Sequence, residues 1–173
     1  MKNLISKNNK GFSLIEVIIY VAIIGGLLVT LTNFILAISG SRNKSYAQQE
    51  VNANTRLALN ILTHKIKSSN GINVSSSTFN TSPGVLSLSM SSSTLSPTIF
   101  TLSNGRLTIS EGVTTSQFIT SQRVNISSLI FTNLTADSNH GNVGISMSFN
   151  YASSSDASYN FSSSLNTAVN LRQ

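Results

Sequence analysis

Two rhythms of apolar and polar positions divide the chain. From Phe12 to Ile38 apolar side chains follow one another with few breaks, and the single charge among them is Glu16. Past Ile38 the pattern turns amphipathic. Val51, Thr55, Ala58, Leu62 and Ile66 fall at helical spacing with Ile61 beside them, while Gln48, Gln49, Asn52, Arg56, Asn60, Lys65 and Lys67 take the other faces. Ser68-Ser69-Asn70-Gly71 reads as a helix stop and loop. One helix from Phe12 to about Lys67 would measure roughly 84 Å, with Ser39-Gly40-Ser41 as the place where it would bend or break.

Beyond Gly71 the period becomes two. Leu86, Leu88 and Met90 alternate with serines. Phe100 and Leu102 precede Ser103-Asn104-Gly105, and Leu107 and Ile109 follow it, the pattern of a hairpin with a glycine-containing turn. Val124 and Ile126 alternate, then Ser127-Ser128 shifts the phase to Leu129 and Phe131, which predicts a bulge. Ile145, Met147, Phe149 and Tyr151 form the clearest strand, followed by a Ser153-Ser154-Ser155-Asp156 turn and by Tyr159, Phe161, Leu165, Val169 and Leu171. These segments predict an antiparallel sheet with one greasy face and one Ser/Asn/Thr face. The Val51 to Ile66 stripe is its natural cover, so the fold class is α+β.

The apolar run is about 27 residues, long enough to cross a hydrocarbon core at 1.5 Å per residue. A secretory signal would be shorter, with a small-residue cleavage site after its apolar core. Lys2, Lys7 and Lys10 place the N-terminus on the cytoplasmic side, although Arg42 and Lys44 weaken that rule. Glu16 is costly in such a span, about 2.5–3.5 kcal/mol on insertion scales, and no Lys, Arg or His lies within reach along it. Cleavage between Gly11 and Phe12 would supply a partner. The new α-amine of Phe12 sits one helical turn from Glu16 in its own chain, or meets the glutamate of a neighbouring chain. At an effective dielectric near 20 and about 4 Å, that attraction is roughly 4 kcal/mol, comparable to the burial cost.

Lys10-Gly11-Phe12-Ser13-Leu14-Ile15-Glu16-Val17 and the apolar run behind it resemble the N-terminus of a type IV pilin or type II secretion pseudopilin. The resemblance implies the pilin fold, a long N-terminal helix packed on an antiparallel sheet. It implies a leader at 1–11, a membrane and fibre-core helix at 12–38, an amphipathic helix half at 39–69 and a β head at 70–173. A prepilin peptidase would cut after Gly11 and methylate the Phe12 amine, and Glu16 would neutralise that amine on the next subunit. Other pilin subunits and an inner-membrane assembly platform are the implied partners. The mature chain would pass from the inner membrane into a periplasmic or cell-surface filament. Asn33 stands where many type IV pilins have a proline. Gly25-Gly26 would soften the helix instead or permit close packing, and the four-residue recurrence of Ala22, Gly26 and Thr30 favours packing.

Composition narrows the chemistry. Charged residues make up 9% of the chain, against roughly 25% in soluble proteins, and cysteine is absent. The net charge of +6 is dispersed, without the dense basic patch of a dedicated nucleic-acid binder. His64 and His140 lack partners for metal or acid–base work. Asp137-x-Asn139-x-Gly141 lacks the closing acids of a calcium loop and reads as a polar turn. The serines lack a nucleophile motif and a base, so they read as a solvated face, and the Asn-x-Ser/Thr triplets follow from composition alone. The expectation is a non-enzymatic structural subunit needing no cofactor, of the minor class. The alternative is a tip-located binding pilin for adhesion or DNA uptake, using Arg106, Arg123 or Tyr151. A membrane-anchored enzyme is opposed by the scarcity of ionisable groups.

Overall fold

The computed structural model describes residues 11–135, 141–152 and 159–171. Its contacts divide the chain into two units, residues up to Ser41 and residues from Arg42 onward. The basic leader, the Asp137–His140 stretch and the Ser153–Asp156 turn lie outside the described residues.

Helix α1 spans Leu14–Lys67 and is helical at Ser39, Gly40 and Ser41 as well, so the expected break does not occur. Its start is marked by Ser13, a residue favoured at N-caps, whose carbonyl accepts from Glu16 N at 3.0 Å and Val17 N at 3.2 Å. The two halves of α1 differ in cover. Every large apolar side chain from Phe12 to Ile38 is exposed. In the second half Ala47, Val51, Asn54, Ala58, Leu62 and Ile66 are buried. The inward stripe therefore takes Asn54 where Thr55 was expected, and Thr55 turns its hydroxyl back to Val51 O at 2.8 Å.

After Lys67 the chain enters strand β1 (Ser69–Ile72) almost at once, so the expected loop is an edge strand. Strands β2 (Leu86–Met90), β3 (Thr98–Ser103), β4 (Arg106–Glu111) and β5 (Gln117–Phe118) follow in spatial order β1-β2-β3-β4-β5. The expected hairpin is β3–β4, closed at Ser103↔Arg106 by Asn104 (φ 51°) and Gly105 (φ 69°). Two positive φ angles give a turn whose twist matches the strands. Strands β6 (Val124–Asn133), β7 (Asn142–Tyr151) and β8 (Ser162–Asn170) form a second antiparallel sheet. The predicted bulge is present, as a register shift between Ile126 and Ser128.

Two sheets replace the single one expected, and hydrogen bonding at the edge of β6 explains the division. That edge is occupied by irregular backbone: Asn80 N donates to Phe131 O and Gly84 N to Leu129 O, both at 2.8 Å, and Ile126 N donates to Gly105 O at 2.7 Å. A β-carbon at Gly84 would lie 3.2 Å from Leu129 O, so glycine lets the segment press this close. The edge is covered and no further strand can pair with it.

Both sheets face one core. Val51, Ala58, Leu62 and Ile66 of α1 join Leu86, Leu88, Phe100 and Leu107 of the first sheet, and Leu129, Phe131, Ile145, Met147 and Phe149 of the second. Alternation along β7 is complete from Val143 to Phe149, which is why its pattern was the clearest in the sequence.

Candidate functional site

Just before α1, Gly11 and Phe12 are exposed and outside regular secondary structure, with Phe12 77% exposed. Glu16 lies in the first helical turn, where unpaired backbone N–H groups favour a carboxylate. Ser13 and Glu16 have the S-x-x-E spacing of a capping box. The hydrogen bond that Glu16 accepts points the other way along the helix, from Tyr20 Oη to Oε1 at 3.3 Å. This is a long bond, but it gives the carboxylate a donor in its own chain. Tyr20 was missed in the sequence because the search for a partner stopped at cations; the i, i+4 spacing was the available signal.

Farther along, Ala22, Gly26 and Thr30 recur at one-turn intervals on α1, with Gly25 adjacent. A β-carbon at Gly25 or Gly26 would meet nothing within 4 Å. Among the described residues, the close approach that small residues permit is therefore unused. The Thr30 hydroxyl is satisfied by its own helix, donating to Leu27 O at 2.8 Å and Gly26 O at 3.2 Å, and Thr32 donates to Leu28 O at 2.8 Å. Self-satisfied hydroxyls suit an environment without water. This helix contains a stretch near the N-terminus long and apolar enough to cross a membrane, with mean hydropathy 2.5.

The head holds a second constellation. Arg106 at the start of β4 donates from Nε (2.9 Å) and Nη2 (2.7 Å) to Thr120 O. Its guanidinium lies 3.9 Å from the centroid of the Phe118 ring, a stacked cation–π geometry. Arg106, Phe118 and Tyr151 line one open groove of about 910 Å³. Tyr151 stacks on Tyr159 at 5.6 Å and meets Tyr46 edge-on at 6.2 Å. Burial, then the neighbouring Tyr46, pushes the Tyr151 phenol above its ordinary value. Arg123 does not line the groove; its Nη1 donates to Tyr46 Oη at 2.8 Å. Of the three binding candidates, the fold thus brings Arg106 and Tyr151 together and sets Arg123 beside them.

Below this cluster, α1 grips the loop before β6. Asn54, 7% exposed, accepts from Ser121 N at 2.8 Å through Oδ1 and donates to Glu50 O at 2.9 Å. Ser121 Oγ donates to Glu50 Oε1 at 2.9 Å. His64 is exposed on α1 in line with the neighbouring ion pair of Lys65 and Glu111. Among the described residues no three His, Cys, Asp or Glu side chains gather as a metal site would require.

Residues 6–32 match the family model of the prokaryotic N-terminal methylation motif. No match was found among curated proteins or solved structures. The matched stretch contains Gly11, Phe12, Glu16 and the small-residue stripe, and it precedes a helix packed on antiparallel sheets. The chain carries the signature of type IV pilins and pseudopilins, on an α+β fold consistent with theirs.

Proposed function

We propose that this chain is a minor structural subunit of a type IV pilus or a type II secretion-like pseudopilus. A prepilin peptidase cuts after Gly11 and the new Phe12 amine is methylated. The apolar half of α1 holds the subunit in the cytoplasmic membrane, with the head outside. The assembly platform then lifts it into a filament among other pilin subunits.

The observation that carries this reading is the methylation-motif match over 6–32, set on a helix whose first half exposes every large apolar side chain. Such a surface demands lipid or neighbouring helices, because apolar area in water is unfavourable by roughly 25 cal/mol per Å². Glu16, in the first turn of that helix, is the charge a neighbour's amine would neutralise. The stripe of Ala22, Gly26 and Thr30, with Gly25, offers the close helix approach that a fibre core needs.

Mass spectrometry of sheared surface material tests the reading. The expected N-terminus is methylated Phe12. Glu16→Ala is expected to be processed normally yet to stay in the membrane fraction. An intact leader on the mature protein, or normal filament incorporation of Glu16→Ala, would overturn the proposal. The alternative of a tip-located binding subunit has one support, the convergence of Arg106 and Tyr151 on a single groove.

A further inference from the structure

The groove in the head lies between the β3–β4 turn and the end of β7. Its lining combines three kinds of group. Aromatic surface comes from Phe118, which is 48% exposed, and from Tyr151. Carboxamides come from Asn104, Gln122, Asn125 and Asn150, with Asn125 and Asn150 directly opposite each other across β6 and β7. Among the described residues, Arg106 is the one cation in the lining, and no Asp or Glu is present there. None of the four carboxamides makes a side-chain hydrogen bond among the described residues, so each keeps its donors and its acceptor for something else.

An amide-rich face is ordinary in a chain this rich in asparagine, and solvation alone would account for it. Two features go further. The amides line a concave volume within the roughly 300–1,000 Å³ range of ligand sites. Arg106 is also fixed before any ligand arrives, clamped on Thr120 O by two bonds and stacked on Phe118. Nη1 remains without a partner among the described residues. A fixed guanidinium with free N–H groups suits a carboxylate.

We propose that this groove binds an acidic oligosaccharide, its hydroxyls paired with the four carboxamides and its carboxylate with Arg106. Carboxamides donate and accept at once, as vicinal hydroxyls do. Phe118, half exposed, offers flat apolar surface to the C–H face of a sugar ring, and Tyr151 adds aromatic lining beside it. A nucleic-acid strand fits less well, because it needs a cationic groove that follows successive phosphates, and among the described residues one cation lines this one. A purely apolar ligand would leave the amides unpaired. The proposal rests on the head groove alone, so it can fail while processing and filament assembly succeed, and the reverse.

The test uses the full chain in detergent micelles. The protein has no tryptophan, and Tyr151, which lines the groove, meets both Tyr46 and Tyr159, so tyrosine emission reports occupancy. The probes are hexagalacturonate, neutral maltohexaose and a twenty-nucleotide oligothymidylate. Hexagalacturonate should bind about ten-fold more tightly than maltohexaose, and Arg106→Gln should erase that preference. Gln122→Ala and Asn150→Ala should weaken both saccharides several-fold; they remove no bond within the fold, so they keep the test valid if Arg106→Gln misfolds. Lys44→Gln, outside the groove, should change nothing. Three results would overturn the proposal: no saturable response to either saccharide, equal binding by the groove variants, or tighter, salt-sensitive binding of the oligothymidylate.

Discussion

Gly105 and Gly112 both have positive φ, 69° and 55°, yet alanine at the two sites should have different consequences. A left-handed backbone costs a non-glycine residue about 1–2 kcal/mol, partly offset by about 0.4–1 kcal/mol from a stiffer unfolded chain. That common term leaves each variant roughly 1 kcal/mol worse. What the new β-carbon meets decides the rest. At Gly105 it would stand 1.7 Å from Asn125 Oδ1, the far end of an exposed side chain that can rotate away. A forced rotamer costs about 0.5–1.5 kcal/mol, so Gly105→Ala should total about 1.5–2.5 kcal/mol. At Gly112 the β-carbon would stand 2.2 Å from Thr94 O, a backbone atom in a turn held by Leu95 N donating to Ser92 O at 3.1 Å. Gly112 N also donates to Pro97 O at 3.0 Å, so neither side yields without losing a bond. Gly112→Ala should therefore cost about 3–4 kcal/mol.

Thermal unfolding of the full chain, followed through near-ultraviolet signals from the head tyrosines, measures both. At about 3–5 °C per kcal/mol for a unit of this size, Gly105→Ala should lower the midpoint by about 5–12 °C and Gly112→Ala by about 9–20 °C. A cycle isolates the steric part. Asn125→Ala alone should be nearly neutral, and in the Gly105→Ala background it should recover the rotamer cost while leaving the φ cost. The reasoning is refuted if Gly112→Ala is no worse than Gly105→Ala, or if removing the Asn125 side chain recovers nothing.

Three further outcomes follow from the geometry. Asn54→Ala removes the acceptor of Ser121 N and should lower head stability by about 1–2 kcal/mol in denaturant unfolding; an unchanged midpoint would mean that water replaces the bond without cost. Tyr20→Phe removes the hydroxyl donated to Glu16 and keeps the ring, so filament incorporation should stay at half the normal level or better, judged by the ratio of sheared to membrane-bound protein. A loss as deep as that of Glu16→Ala would instead give Tyr20 the docking role. The raised pKa of Tyr151 favours the neutral phenol in the fold, so its contribution is complete below the ordinary tyrosine value of about 10 and disappears as pH climbs through the raised value. In an ultraviolet titration Tyr151→Phe should remove a component that ionises above the ordinary tyrosine value, and a titration curve of unchanged shape in that variant would contradict the assignment.

How far the fold was legible depended on whether the signal was local. The β3–β4 hairpin could be read because Asn104-Gly105 carries its own backbone preference, and the bulge because Ser127-Ser128 breaks a period of two in plain sight. The stripe on α1 was read one position off at Thr55, since a threonine and an asparagine are equally poor evidence for a buried site. Asn54 is inward only because Ser121, far along the chain, presents an N–H to its carbonyl. The division into two sheets was illegible for the same reason. Nothing in the 78–84 segment announces that its backbone will occupy the edge of β6, and serine-rich turns near glycine are compatible with many partners. Ser68-Ser69-Asn70-Gly71 carried a true helix stop, but the strand that follows draws its hydrogen bonds from β2, which no local pattern names.

The candidate sites divide along the same line. Gly11, Phe12 and Glu16 stand out in the sequence because their proposed chemistry is local: a bond to be cut, the amine that cutting would free, and an acid on an otherwise greasy stretch. Tyr20 belongs to that local set and was within reach, since a phenol four residues on faces a carboxylate as well as a lysine would. The groove is different in kind. Arg106 and Phe118 sit on neighbouring strands of the first sheet, Asn125 and Tyr151 on the second, and Tyr46 on the helix, so they meet only once both sheets close over one core. The sequence offered Arg106 as a binding candidate but not what fixes it, because a guanidinium acquires a role from what it stacks on, and Phe118 supplies that here. The same distinction separates the pressures on the two ends of the chain. In the proposed filament the motif end would have to suit every neighbour, whereas the groove can change its amides one at a time without disturbing the core beneath them.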